Sequence, residues 1–162
     1  MPRMVDLATT TYWWVAGDAE PTTATATAAG VNFSQYVVAT TKVGPVSSDT
    51  VNEKSITDTS NSVVPIIGNY EGNLVLFRDL TAGAPTANDP LTTIGAASGV
   101  VGWLVKRVGY TSTTAMAAAQ KVDRFKFMTD TPQKSGGEGD GYLKVTIPML
   151  QQGVYRTEIA LT

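Results

Sequence analysis

Residues 43–70 read VGPVSSDTVNEKSITDTSNSVVPIIGNY, a long and mostly polar stretch in the middle of a β-rich sequence. Loops longer than about 12–15 residues without structure of their own are uncommon in small domains, and they are usually functional or disordered. We define residues 43–62 as the polar arm, and we expect its partner to be a neighbouring subunit rather than its own core. Residues 51–58 could form a strand with two mostly polar faces, which makes sense only if one face lines water.

The arm leads directly into the clearest strand of the chain. Residues 74–77, Leu-Val-Leu-Phe, are a short continuous apolar run that follows turn-forming residues, and this pattern predicts a buried strand. Pro148 favours an edge position or a bulge in its own strand. Residues 109–120 and 151–153 are expected to be connections, and 113–120 could form one helical turn. The other predicted strands are 11–15, 33–42, 103–108, 121–128, 142–149 and 154–161.

One helix is predicted, over residues 90–101. Asn88 and Asp89 offer an N-cap and Pro90 suits the first helical position, while apolar residues recur on a roughly helical period. Glycines within this segment weaken the helix by about 1 kcal/mol each relative to alanine, so it needs a sheet to pack against. The fold class is therefore mainly β, a β-sandwich or barrel with one flanking α-helix and a long polar hairpin loop.

The length of 162 residues predicts one domain, residues 1–162, with an N-terminal segment over 1–30 that ends in the low-complexity run EPTTATATAAG. Tyr12, Trp13 and Trp14 stand in this segment. They are either part of an ordinary core strand or the docking surface of an N-terminal segment at an oligomer interface, where Trp is enriched. The sequence leaves both interpretations open.

Charged residues make up only 16% of the chain, against a hydrophobic content of 43%, and the formal net charge is −2. This composition argues against tight binding of nucleic acid, since such binders usually carry a basic field. Residues 1–100 hold nine acidic and four basic residues, whereas residues 101–162 hold five acidic and eight basic residues. The difference is either chance scatter on a solvated surface or a sign of complementary faces between subunits.

The residue types that most enzymes use are missing. The chain has no His and no Cys, which removes imidazole bases, thiolate nucleophiles and the preferred transition-metal ligands. The glycine cluster at residues 135–142, SGGEGDGY, lacks the ending of a phosphate-binding loop and is better explained as a hairpin turn. We expect no catalytic activity, no cofactor and no metal. No targeting or membrane-spanning segment is visible, so folding in a cytosol is expected.

The order of three segments resembles a known family. These segments are EPTTATATAAGVNFSQYV, SDTVNEKSITDT, and IGNYEGNLVLFRD followed by the helix that starts with proline. In order and spacing they resemble the major tail tube proteins of siphophages, especially those of phages that infect actinobacteria. The resemblance implies a tail-tube-type β-sandwich or barrel whose subunits form six-membered rings, and the rings stack into a hollow tube through which the genome leaves the capsid.

The resemblance also implies partners and a location. The partners are other copies of the chain, the tape measure, the tail terminator and the tail tip, while double-stranded DNA passes through without specific binding. The protein would reside in the virion after assembly in the host cytoplasm, with no insertion into a membrane. The polar arm is expected to join neighbouring rings. Its candidate contact residues are Ser47, Ser48, Asp49, Asn52, Glu53, Lys54, Asp58 and Asn61.

Other functions stay open at this point. A tail terminator or a baseplate ring component would share nearly every feature, and repetition in many copies is what distinguishes a tube protein from them. A secreted β-sandwich that binds carbohydrate could use Trp13, Trp14 and Trp103 as stacking platforms. A hydrolase that works with carboxylates is a third alternative.

Overall fold

The computed structural model describes residues 9–53, 62–94, 97–135 and 142–162, and within them the chain is mainly β. All strand pairs are antiparallel. The strands are β1 Thr10–Ala16, β2 Val31–Asn32, β3 Lys42–Glu53, β4 Ser62–Phe77, β5 Leu80–Thr81, β6 Ala84–Pro85, β7 Val101–Val108, β8 Lys121–Thr129, β9 Gln133–Ser135 and β10 Lys144–Ala160. The mainly β class predicted from the sequence is confirmed.

Eight strands form one sheet in the order β2-β1-β7-β8-β10-β4-β3, with β9 paired to β10, while β5 and β6 form a small hairpin of their own. The segment after β2 links the two sides of this sheet. Phe33 donates its backbone N–H to Tyr12 of β1, and Val37 forms a bridge with Leu76 of β4. The sheet therefore curls and closes on itself at this end, in the manner of a barrel.

The core lies inside the curl. Alternate residues of a strand point to opposite faces, and β1, β7 and β8 bury both. On the inner face, Trp14, Leu104 and Phe125 belong to the larger apolar cluster. On the outer face, Val15 and Val105 belong to a second cluster, which Ala26 covers. Burial on both faces explains the apolar runs at residues 12–15 of β1 and 103–105 of β7.

Two α-helices accompany the sheet in the part of the chain whose elements are described, where the sequence predicted one. Helix α1 spans Thr23–Ala29 in the segment read as low complexity. Thr22 caps it, because the Thr22 hydroxyl accepts from the Thr25 backbone N–H and the Thr25 hydroxyl accepts from the Thr22 N–H. The prediction missed α1 because alternating Thr and Ala show no helical period.

Helix α2 is shorter than predicted and spans Pro90–Ile94, whereas the prediction extended it to residue 101. Val101 instead begins β7, and Gly99 has a φ of 88°, a conformation that glycine adopts freely and other residues rarely do. The carboxylate of Asp89 does not cap the N-terminus of the helix. It accepts from the Arg78 side chain at 2.8 Å and from the Asp79 backbone N–H at 2.9 Å.

The two strands predicted at 142–149 and 154–161 are one strand, β10. The predicted connection at 151–153 lies inside it as a bulge, where the pairing with β8 shifts between Gln151 and Tyr155 and Gly153 adopts a φ of 77°. Pro148 lies neither at an edge nor in this bulge. It pairs with Asn73 of β4, at the place where the opposite partner of β10 changes from β9 to β8.

Two more predictions needed correction. Residues 33–42 contain a 3₁₀ helix, Ser34–Tyr36, and only the last of them belongs to a strand. Residues 113–120 contain turns and no helical turn. Arg107 holds this connection to the sheet. Its fully buried guanidinium donates to the carbonyl groups of Thr114 and Ala115 and to the Gln120 side chain.

Gly102 provides a test of how closely the core is packed. A Cβ at this position would lie 2.5 Å from Cζ2 of Trp14 and 2.8 Å from the carbonyl oxygen of Val15. The backbone carbonyl is held in the sheet, so Gly102→Ala should lower the free energy of unfolding by about 1–3 kcal/mol, the usual cost of overpacking. Urea unfolding of the monomer measures this change.

Gly44→Ala is the matched control. A Cβ at Gly44 meets nothing within 4 Å, and its φ is not positive, so the free energy of unfolding should change by less than about 0.5 kcal/mol. Equal losses in the two variants would contradict the close packing of Trp14 on Gly102.

Candidate assembly surface

The sheet forks where β4 leaves β10. The two strands pair from Phe77 opposite Lys144 as far as Gly72 opposite Met149. Beyond this point β10 continues beside β8, while β4 continues beside β3 alone within the described residues. We call this place the fork. The strands β3 and β4 pair with each other from Lys42 opposite Asn73 to Glu53 opposite Ser62.

The first part of the polar arm is therefore a strand, because residues 43–53 belong to β3. Of the predicted strand at 51–58, residues 51–53 lie in β3 and the rest fall outside the described residues. In the sheet order β3 is the last strand, and in the described part of the chain β4 is its only partner. Among the described residues no strand pairs with its outer edge, and the backbone N–H and C=O groups of such an edge are those to which another chain can add a strand.

The candidate contact residues are placed unevenly. Ser47 and Asp49 are exposed on β3 and Ser48 is half-buried. Asp49 lies between two shifts in the register of β3 against β4, which mark a bulge. Asn52 and Glu53 belong to the last part of β3. The remaining three, Lys54, Asp58 and Asn61, lie outside the described residues.

Tyr70 anchors the arm at the fork. Its ring is 4% exposed and packs against Phe125, Phe127 and Tyr155, with centroid distances of 5.8, 5.1 and 5.3 Å. Its hydroxyl donates to the backbone carbonyl of Lys126 and accepts from the backbone N–H of Gln152. Burial raises the pKa of this hydroxyl above its ordinary value of 10.0, so it keeps the proton that it donates.

The sequence analysis did not single out Tyr70. A usable signal was present, because Tyr70 is the only aromatic residue between the polar arm and the apolar run at 74–77. An isolated aromatic residue with a hydroxyl at such a boundary suits a position where the ring is buried and the hydroxyl meets backbone groups.

The N-terminal aromatic residues are built into the subunit. Trp14 is 1% exposed and belongs to the core, whereas Tyr12 and Trp13 are half-buried against the two apolar clusters. This placement agrees with the core interpretation for Trp14 and removes it as a contact surface. Trp103 is also buried, at 3% exposed. Neither Trp14 nor Trp103 offers the open ring face that sugar stacking needs, which argues against a carbohydrate-binding module.

The uneven charge distribution is partly used within the subunit. Glu20 bridges Arg124 and Arg156 at 3.2 and 3.0 Å, and Asp18 pairs with Lys126. Each of these pairs joins an acidic residue of the first 100 to a basic residue of the last 62. They join the segment after β1 to β8 and β10, so part of the charge pattern is accounted for within the subunit.

The part of the chain that the structure describes was searched for clusters of metal-ligating side chains and for helices that could span a membrane. Among those residues there is no group of three or more Asp, Glu, His or Cys side chains that could hold a metal ion. None of the helices among them is long and apolar enough to cross a membrane. The glycine cluster that the sequence analysis assigned to a hairpin turn falls mostly outside the described ranges.

A comparison with protein families identifies a match along the chain. The model of the family described as phage tail tube protein matches residues 1–162. No curated protein matches the chain.

The anchoring role of Tyr70 leads to a prediction for its hydroxyl. Tyr70→Phe keeps the ring but leaves the Lys126 carbonyl and the Gln152 N–H without their partner. Since an unsatisfied buried polar group costs about 1–3 kcal/mol, the free energy of unfolding should fall by that amount. Chemical denaturation of the monomer measures this loss of unfolding free energy.

Tyr142→Phe is the control. Tyr142 is 80% exposed, and loss of its hydroxyl should change the unfolding free energy by less than about 0.5 kcal/mol. A stability of Tyr70→Phe equal to wild type would show that the hydroxyl does not anchor the arm.

Proposed function

The chain belongs to the phage tail tube protein family, and we propose that it polymerises as stacked hexameric rings into the hollow tube through which phage DNA enters the host. Membership of the family makes the chain a structural component of a phage tail. The observation that carries the proposal of a polymer is the outer edge of β3, a 12-residue strand at the end of the sheet. We propose further that the phage is a siphophage of the actinobacteriophage type.

Ring closure suits such an edge. A long edge strand is a liability in a monomer, because it invites uncontrolled pairing with other chains. A head-to-tail interface that closes into a ring gives each such edge a defined partner, and none remains exposed. The weakly charged composition supports the same proposal, because copies with few charges approach one another with little repulsion.

We assign the side chains of the polar arm to contact between rings, while the backbone edge of β3, which makes up residues 43–53 of the arm, pairs within the ring. Its exposed groups on β3, such as Ser47 and Asp49, are hydrogen-bonding groups that the subunit core leaves accessible. A ribbon of two strands without a core is marginally stable in water, so a partner that supplies complementary groups stabilises it. The proposed contact residues are Ser47, Ser48, Asp49, Asn52, Glu53, Lys54, Asp58 and Asn61.

The channel must let DNA pass without holding it. Each phosphate contact by Lys or Arg adds salt-dependent affinity, which would retard a moving duplex. A net charge of −2 on 162 residues supports a weakly charged or acidic lining. The proposed partners are further copies of the chain, the tape measure, the tail terminator and the tail tip. We propose that assembly takes place in the host cytoplasm, that the finished protein resides in the virion, and that it has no catalytic activity.

Electron microscopy of the purified protein tests the polymer. Concentrated protein, with and without tail-tip components as nucleators, should form rings or tubes, because a neighbouring copy satisfies the free edge of β3. Sedimentation should then show species far larger than the 17.1 kDa monomer. A monomer under both conditions would refute the proposal, and a single closed ring that never stacks would favour a terminator or a baseplate component.

A shortened arm tests the role of the arm. Val46 pairs with Asn69, so replacing residues 47–68 with Asn-Gly closes the two strands with a two-residue hairpin turn. The monomer should stay folded, because loop length changes the folding free energy by only about 0.6 kcal/mol per doubling. Because the deletion also removes residues 47–53 of β3, neither rings nor tubes should form in micrographs, while circular dichroism controls for the fold. Tubes of normal length would show that the arm is a surface loop with no role in assembly.

Assembled tubes should bind double-stranded DNA poorly. A weakly charged lining makes few phosphate contacts, so binding at physiological salt should be weak, with little of the steep salt dependence that such contacts produce. Fluorescence anisotropy of a labelled duplex measures both quantities. Submicromolar binding that disappears with added salt would contradict this account of the channel.

A further inference from the structure

A chain of side-chain hydrogen bonds crosses the fork from the arm to the body of the subunit. Asn69 of β4 donates through Nδ2 to the carboxylate of Asp49 on β3 at 3.0 Å and to the carbonyl of Ser47 at 3.4 Å. Gln151 of β10 donates through Nε2 to Oδ1 of Asn69 at 3.3 Å, and its Oε1 accepts from the backbone N–H of Tyr70 at 3.1 Å. We call Asp49, Asn69 and Gln151 the relay.

The chemistry of the relay fixes its direction. An ionised carboxylate and a backbone carbonyl only accept, so Asn69 must turn its NH₂ group toward Asp49 and Ser47. Its oxygen is then left for the NH₂ group of Gln151, and the oxygen of Gln151 is left for the N–H of Tyr70. One acidic residue on the arm therefore sets the orientation of two amides, and the alternative orientation of either amide would leave two donors or two acceptors facing each other.

At the fork the side chain of Gln151 makes a hydrogen bond to β4 of the kind that a backbone carbonyl makes within a sheet. Backbone pairing of β4 with β10 ends at Gly72 and Met149, and two residues further along β4 the side-chain amide of Gln151 accepts the N–H of Tyr70. Beside this bond, Tyr155 closes over Gly68, where an added Cβ would lie 2.9 Å from the Tyr155 hydroxyl oxygen. Beyond this point, side chains and not backbone hydrogen bonds between β4 and β10 fix the direction in which the arm leaves the sheet.

We propose that the relay sets the direction of the polar arm and that Gln151 is a positioning residue for the contact between copies. The proposal rests on the proposed function, since it assumes that the arm makes that contact. Bulges lie at both ends of the relay, one at Asp49 on β3 and one after Gln151 on β10. Bulged strands bend, and without the relay the two bends are free to change the angle of the arm.

Spin labels measure the angle directly, because the chain has no cysteine of its own. Labels on Thr50→Cys in the arm and Lys121→Cys on β8 report one distance distribution in the monomer by double electron–electron resonance. Unlabelled chains with the same relay variants report the lowest concentration that forms tubes. Both labelled positions are exposed, and Gln151 is exposed as well, so substitutions there keep the core intact, which thermal melting verifies.

Gln151→Leu should broaden the distance distribution and raise the assembly concentration about fivefold, the factor that one net hydrogen bond represents. Gln151→Glu keeps the acceptor for Tyr70 but has no donor for Asn69, so it should give an intermediate result in both measurements. Gln152→Leu is the matched control, since the side chain of Gln152 donates to the backbone carbonyl of Gln151 and to no other described residue. It should leave both measurements at their wild-type values.

An unchanged distribution in Gln151→Leu, or an equal change in Gln152→Leu, would overturn the proposal. A broadened distribution with an unchanged assembly concentration would overturn it too, because the angle of the arm would then not matter to the contact. If wild-type chains formed no tubes at all, the proposed function would fail, and the distance distribution alone would decide whether the relay orients the arm.

Discussion

The structure depends on how Tyr70 closes the core where the sheet opens. At the fork one strand must leave its partner, and this exposes both an apolar interior and unpaired backbone groups. Tyr70 both covers the apolar interior and supplies partners to the backbone groups. Its ring is buried against Phe125, Phe127 and Tyr155, and its hydroxyl bonds to the backbone of β8 and β10. Burying an aromatic ring stabilises the fold chiefly through the area removed from water, and the hydroxyl prevents the cost of unsatisfied groups.

Much of the fold could be predicted from the sequence where apolar residues form runs. The strands β7 and β8 and the end of β4 were expected within a few residues of their observed bounds, because burial on one or both faces leaves a local pattern. The errors occur where tertiary contacts override local signals. Gln151 and Gly153 suggested a connection, yet the neighbouring β8 keeps β10 in one strand across a bulge. Thr22 to Ala29 suggested low complexity, yet a cap made by two threonines and a buried Ala26 hold a helix there.

The candidate site was predictable only in outline. Its polarity marked the arm as a segment that its own core does not explain, and β3 indeed pairs only with β4 in the described part of the chain. The residues that hold the arm could not be inferred, because Asn69 and Gln151 are 82 positions apart and each alone is an ordinary polar residue. The charge pattern was also ambiguous for a physical reason. Opposite charges far apart in sequence can pair within one subunit as well as between two, and Glu20 with Arg124 shows that part of the pattern is internal.

The internal use of charge has a consequence for how copies would recognise one another. Attraction between oppositely charged surfaces speeds the encounter of two subunits and does not require an exact fit. Backbone hydrogen bonds between two strands, in contrast, form only in a defined register. With part of the charge pattern used inside the subunit, the outer edge of β3 would rely mainly on ladder bonds, the contacts that an edge strand offers. A slip of one residue in such a ladder turns every side chain to the other face, so an assembly built this way needs a feature that fixes register. The bulge at Asp49 is such a feature, because it interrupts the edge at one place. The same residue begins the relay to Gln151, so on the proposed assembly the register of β3 and the direction of the arm are both set at Asp49.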